Sequence, residues 1–189
     1  MDDDQVERLR ARLGERSIVL IGMMGAGKTS IGRRLANHLH LPFLDADAEI
    51  EKAANLSIAE IFEQYGEAHF REGEERVIAR LLGGGPAVLA TGGGAFMSAE
   101  TRKRCGAQSI TVWLKAEVPV MLERVKKKGN RPLLAGSDPE ARMRELLKER
   151  EPTYALADIV IGSREGPHQQ VVSEILAALD ARLGEGKRP

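Results

Sequence analysis

Residues 22–29 read Gly22-Met23-Met24-Gly25-Ala26-Gly27-Lys28-Thr29, and they meet every fixed position of the pattern G-x-x-x-x-G-K-S/T. Each fixed residue answers a physical demand. Glycines let successive backbone N–H groups turn inward around phosphate oxygens with no Cβ in the way. A helix that follows directly adds its positive N-terminal end. The lysine then reaches the β- and γ-phosphates, and the hydroxyl of Thr29 is placed to ligate magnesium. A glycine-rich turn that fits the pattern by chance is the plain alternative. Its surroundings argue against that: Ser17–Gly22 is an apolar run that predicts a buried strand. Lys28–His40 predicts a helix with Ile31, Leu35 and Leu39 on one face. The nucleotide contacts expected here are Gly25, Ala26, Gly27, Lys28, Thr29 and Ser30.

Outward from this loop the alternation continues. Strands are expected at Phe43–Leu44, Ala87–Ala90, Ile110–Leu114 and Ile159–Ile161. Helices are expected at Ser57–Tyr65, opened by the capping box of Ser57 and Glu60, and at Ala68–Leu82, Val118–Lys127, Pro139–Arg150 and Gln169–Leu183. Five strands separated by helices predict an α/β protein, a three-layer α/β/α arrangement around a five-stranded parallel sheet. Residues 129–138 carry Gly, Pro and Asp without helical periodicity and read as a surface loop. Residues 1–16 read as an extension, a short and partly frayed helix with Val6, Leu9 and Leu13 on one side. Residues 17–183 form one domain, and 184–189 a tail.

With 189 residues, a single core is the natural division of the chain. Lys+Arg and Asp+Glu both number 28, so no overall basic excess exists to bind nucleic acid or a membrane surface. Cys105 is the single cysteine, which excludes an intramolecular disulfide framework. The N-terminus lacks an apolar signal core, and no stretch has the length and apolarity of a membrane span. The expected setting is the cytoplasm, and the expected state a monomer.

Asp45 and Asp47 follow the second strand. At the carboxyl end of a strand in an open α/β sheet they would face the ligand, and on an extended segment both carboxylates would project the same way. One would hold the magnesium shell while the other takes the proton of an attacking hydroxyl. The alternative for Asp47 is a helix N-cap before Ala48-Glu49-Ile50. Arg71 stands near a helix start, where it does nothing for the helix dipole. Either it grips a carboxylate or phosphate, or it is a surface arginine paired with Glu75. Gly92-Gly93-Gly94 suits close backbone approach to a ligand or a simple turn. Arg131 could close over phosphates from its loop, and Arg150 could serve a ligand or a helix C-terminus. The residues alone leave each of these arginines undecided.

Taken together, GMMGAGKTS (22–30), FLDADAEIE (43–51), IFEQYGEAHFREGEE (61–75), ATGGGAF (90–96), RPLLAG (131–136) and KEREPTYALAD (148–158) resemble the shikimate kinase family from about Ser17 to Leu183. The resemblance implies a nucleoside-monophosphate-kinase-like fold with a substrate-binding segment at about 46–75 and a mobile lid at about 129–138. It implies ATP-dependent phosphorylation of the 3-hydroxyl of shikimate, a step toward chorismate and the aromatic amino acids. Carried over by position, Thr29 and Asp45 organise Mg2+, and Asp47 binds substrate hydroxyls and is the candidate base. Arg71, Arg150 and the Gly93 backbone hold the substrate carboxylate, with Glu74 orienting Arg71. Phe62 and Phe70 would line the pocket, or simply pack the core. Lys28, Asp47 and Arg131 form the catalytic set, Arg131 being the lid cation, and Arg124 falls near adenine. The loop begins Gly-Met-Met where many relatives differ, without touching a fixed position. The adenine-contacting position near Gly166 or Pro167 has no assigned side chain.

A gluconate-type kinase would share the P-loop and the size, but it does not account for two arginines matching carboxylate ligands. A non-catalytic P-loop module is expected to have lost Lys28, Asp47 or Arg131, and all three are present.

Overall fold

Strand β1, Ser17–Ile21, is buried at every position because it lies in the middle of the sheet. Two strands pair with it in parallel: β3 (Val88–Ala90) on one side, Ile18 opposite Val88, and β4 (Ser109–Ala116) on the other, Ser17 opposite Ser109. Strand β2 (Phe43–Asp45) lies outside β3, and β5 (Ile159–Ser163) outside β4, which gives the order β2-β3-β1-β4-β5. The structure, a computed structural model, describes residues 3–126, 138–163 and 168–185. The five-stranded parallel α/β architecture is the one expected from the sequence. Every strand carboxyl end points to one edge of the sheet, where an open α/β sheet collects its ligands.

The helices are α1 (Asp3–Leu13), α2 (Lys28–His38), α3 (Ala46–Ala54), α4 (Ile58–Leu82), α5 (Ala99–Gln108), α6 (Val118–Lys126), α7 (Pro139–Tyr154) and α8 (His168–Glu185). Helix α2 buries Ile31 and Leu35 on the sheet, and Gly32 brings it close. A Cβ there would meet the Phe43 ring at 2.6 Å. Helix α4 opens with the expected capping box: the Ser57 N–H donates to Glu60 Oε2 at 2.7 Å, and the Glu60 N–H to Ser57 Oγ at 3.2 Å. It is one element broken at Gly66 (φ 78°, ψ 173°), which divides it into the two arms expected as separate helices.

Four features differ from the sequence reading. Helix α1 is packed rather than frayed: Val6, Leu9 and Leu13 belong to the main core, and Arg12 pairs with Asp180 of α8. Helix α3 begins immediately at β2, so Asp47 does not sit on an extended segment; Asp45 is the N-cap, its carboxylate accepting from the N–H groups of Asp47 and Ala48. Helix α5 was not expected, because its sequence AETRKRCGAQ is polar nearly all round and buries only Thr101 and Cys105. Helix α7 runs through Pro152 to Tyr154, so Arg150 lies inside the helix rather than at its end.

Candidate active site

The loop between β1 and α2 has the backbone its glycines permit. Gly25 and Gly27 hold φ 81° and 94°, and Gly27 caps α2. A Cβ on Gly25 would lie 2.5 Å from the Met121 carbonyl of α6, so that residue is fixed by space as well as by angle. Lys28 is nearly buried, its Nζ donating to the Gly22 and Met23 carbonyls at 2.7 and 2.9 Å. A cleft at this end of the sheet is lined by Gly25, Gly27, Lys28, Thr29, Ser30 and Arg124, together with Asp45, Asp47 and Gly93. The Ala26 side chain is fully buried, and its carbonyl accepts from Ser163 Oγ at 2.8 Å. Arg124 Nη1 donates to the same Ser163 oxygen at 3.2 Å and to the Gly25 carbonyl at 3.3 Å. Ser163 thus ties the end of β5 to the phosphate loop.

Across the cleft, Thr29 Oγ1 donates to Asp45 Oδ2 at 2.9 Å, while Asp45 Oδ1 caps α3. The cap explains why Asp45 is held and which oxygen stays turned to Thr29. Asp47, in the first turn of α3, faces the next cavity as well.

That second cavity is lined by Met24, Asp47, Ile58, Phe62, Phe70, Arg71, Glu74, Gly92–Gly94 and Arg150. Phe62 and Phe70, on opposite arms of α4, meet with ring centroids 4.8 Å apart and form its apolar wall. Arg71 Nη1 donates to Glu74 Oε2 at 2.7 Å, and Nε and Nη2 both donate to Glu67 Oε1. Glu75, the partner expected for a surface arginine, instead accepts from Ser98 Oγ. Burial works against the Arg71 charge, but Glu74 and Glu67 outweigh it and raise its pKa above the ordinary arginine value. Burial also pushes the Glu74 carboxyl up, against the pull of Arg71. Arg150 is 5% exposed, and its Nε and Nη1 have no hydrogen-bond partner among the described residues. A buried cation with two unused donors is costly unless a ligand anion completes it.

The triple glycine supplies the floor. A Cβ on Gly92 would collide with Glu74 and touch Asp47. One on Gly94 would lie 2.5 Å from Cζ and both terminal nitrogens of Arg71. Gly93 faces Arg150 and the N–H of Met24.

The sequence reading therefore has its residues gathered: the phosphate loop, Asp45, Asp47, Arg71, Glu74, Gly93, Arg124 and Arg150 surround two adjoining cavities. Arg131 and the loop 129–137 lie outside the described residues, as do Gly166 and Pro167. Several contributors were not foreseen. Tyr154 is fully buried, donates its hydroxyl to the Gly93 carbonyl and packs on Trp113 at 5.7 Å; burial pushes its pKa up to about 12. Its spacing of four residues from Arg150 was the available signal. Ser163 and His168 stand at and just beyond the end of β5, where the strand-end rule points. No described helix is long and apolar enough to cross a membrane.

Comparison with known proteins agrees with this fold. The family model for shikimate kinase matches residues 24–180. A shikimate kinase of Bradyrhizobium diazoefficiens is 58% identical over 171 residues, spanning 90% of this chain and 83% of its own. One from Mesorhizobium japonicum is 49% identical over 181 residues, spanning 96% and 89%. Among solved structures, shikimate kinase from Acinetobacter baumannii in complex with shikimate has TM-score 0.87 at 38% identity, over 95% of this chain and 99% of that one. A gluconokinase of Sinorhizobium meliloti reaches TM-score 0.62 at 21% identity, over 91% and 95%, a likeness of fold alone. With a family match across most of its length and relatives this similar over more than four-fifths of their own chains, the protein belongs to the shikimate kinase family.

Proposed function

We propose that the chain transfers the γ-phosphoryl group of ATP to the 3-hydroxyl of shikimate, giving ADP and shikimate 3-phosphate on the route to chorismate and the aromatic amino acids. One observation supports it above the others: Met24, Asp47 and Gly93 line both cavities, so the phosphate cleft and the acceptor cavity share a wall at Asp47. A nucleotide held on one side and a hydroxyl on the other would meet there.

In this reading Arg150 and Arg71 hold the acceptor carboxylate, and Phe62 and Phe70 cover the ring. Asp47 accepts the proton of the 3-hydroxyl as its oxygen bonds to γ-phosphorus and the bond from γ-phosphorus to the β,γ-bridging oxygen breaks. Lys28 leaves its loop carbonyls to meet charge on the transferring group. The pair Thr29 Oγ1 and Asp45 Oδ2, two oxygens 2.9 Å apart beside the phosphate loop, has the hard-donor chemistry that suits Mg2+. Among the described residues no cluster of three His, Cys, Asp or Glu gathers, which accords with an ion held chiefly by phosphates, water and one or two protein oxygens. The ion would neutralise phosphate charge when bound. Arg131, known from its sequence motif alone, is the proposed cation on the β- and γ-phosphates. A cytoplasmic monomer is proposed with it.

A coupled ADP-release assay across shikimate, gluconate and quinate tests the reading. Turnover with shikimate far above the other two is expected. Preference for gluconate, or no acceptor-dependent ADP release, would overturn it.

A further inference from the structure

The two arginines of the acceptor cavity stand in opposite conditions. Arg150 has two buried donors without partners. Arg71 has every nitrogen in use: Nε and Nη2 donate to Glu67 Oε1 at 3.3 and 3.0 Å, and Nη1 donates to Glu74 Oε2 at 2.7 Å. The two carboxylates also differ. The Glu74 side chain is 3% exposed and that of Glu67 is 54% exposed. Glu74 lines both the acceptor cavity and the neighbouring groove; Glu67 lines only the groove, with Glu72, Glu75, Arg76 and Glu149. The break at Gly66 makes Glu67 the first residue of the second arm of α4, one turn before Arg71 on the same face.

We propose that Glu67 is an internal competitor of the substrate carboxylate for Arg71, and so sets acceptor affinity and favours anionic acceptors; this rests on the acceptor site assigned above. Without a ligand, two cations, Arg71 and Arg150, face Glu67 and Glu74, with Asp47 adding negative charge near Glu74. An incoming carboxylate finds the vacant donors of Arg150 at once. It gains Arg71 only by drawing the guanidinium from Glu67 or by sharing it with two carboxylates already there. The first route gives up the ion pair with Glu67, and the second gathers like charges around one cation; both oppose binding. A neutral hydroxyl fares worse, since it offers an uncharged acceptor in exchange for a charged one. Arg71 therefore serves a ligand that carries its own anionic group.

The test is Glu67→Gln, which keeps an amide oxygen as acceptor for Nε and Nη2 and removes only the charge. Shikimate Kd is measured by calorimetry without ATP, beside turnover of the wild-type enzyme. The dissociation constant is expected to fall about two- to fivefold, the scale of one partly exposed ion pair. Glu72→Gln removes the same charge from the same groove without touching Arg71, and is expected to leave Kd unchanged. In an Arg71→Ala background the gain from Glu67→Gln is expected to vanish, a coupling that a general change of surface potential would not produce. An unchanged or higher Kd in Glu67→Gln, or a gain that persists in full without Arg71, overturns the proposal. With normal wild-type turnover, either result defeats this inference alone. Absence of shikimate binding and turnover in the wild type would defeat the acceptor assignment and this inference with it.

Discussion

The phosphate loop and the triple glycine both line the proposed site with glycine, yet they use different properties of the residue. At Gly25 and Gly27 the requirement begins with conformation, positive φ turning backbone groups toward the cleft, and at Gly25 the Met121 carbonyl adds a demand for space. Gly92–Gly94 are not among the positive-φ glycines; there the requirement is absent volume, because charged side chains of α4 and α7 lie against the chain. The proposed nucleotide cradle is therefore made of backbone that is local in sequence. The proposed acceptor cradle is made of side chains from α4 and α7, packed on a floor with no Cβ. A change in the first should disturb phosphate chemistry, and a change in the second should disturb acceptor binding.

The largest expected effect breaks the phosphate side. Lys28→Ala should lower kcat by a few hundredfold, roughly 3–4 kcal/mol, the usual worth of a preorganised contact to developing charge. Asp47→Asn, at the shared wall, should fall in the same range. Both should keep the wild-type melting curve, and near-wild-type kcat in either would remove it from the catalytic set.

Next comes the acceptor side. Arg150→Ala should weaken shikimate binding by about 2–5 kcal/mol while the KM for ATP moves little, since a buried anion then loses its cation. Arg71→Ala should cost less, because Glu67 and Glu74 already share that cation. Lysine should restore only part at either position, lacking the planar fork. A rise in the KM for ATP with shikimate unaffected would move these arginines to the nucleotide site.

A smaller substitution sharpens the contrast between the glycines. Gly94→Ala places a methyl group against the Arg71 guanidinium, and should raise the KM for shikimate roughly tenfold, the scale of about 1–2 kcal/mol of overpacking. ATP binding should be spared. If ATP binding suffered equally, the two cradles would not be separable.

The smallest effect belongs to a site outside both cradles. Asp158 accepts from the N–H and hydroxyl of Thr111 at 2.9 and 2.8 Å and pairs with Arg182. Burial works to raise its pKa, but these partners prevail and hold it below the ordinary aspartate value. Its stabilisation is therefore present above the unfolded carboxyl range near ~4 and is lost as pH falls through the lower folded value. Asp158→Asn should cost about 1 kcal/mol at neutral pH. The difference in Tm from wild type should narrow in acid, with both KM values unchanged. A difference that stays constant from neutral to acid pH would contradict the linkage.

The same contrast explains what could be read from residues alone. The phosphate loop was legible because its contacts come from eight consecutive positions with fixed spacing. The alternation of strands and helices was legible from apolar periodicity. Strand order was not, because pairing between distant segments leaves little trace in local sequence. Arg71 and Arg150 could not be settled by spacing, since their meaning depends on α4 and α7 converging on Gly92–Gly94; the family resemblance supplied what local physics could not. Pro152 looked like a stop, yet α7 continues to Tyr154, and the resulting burial of Arg150 was hidden. Asp45 and Asp47 line the cleft as expected, but on a different backbone, because the cap falls at Asp45.

The packing of α1 on α8 bears on the order in which the chain can be completed during synthesis. Arg12 meets Asp180 across 168 positions of sequence, so the first helix made waits for the last. Until α8 emerges, Val6, Leu9 and Leu13 lack the cover it gives them in the finished core, and closing so long a loop slows their burial. A chain halted before α8 would leave the apolar face of α1 without the helix it packs on. Translation must therefore reach α8 before α1 can settle, and the apolar face of α1 is open to aggregation in that interval.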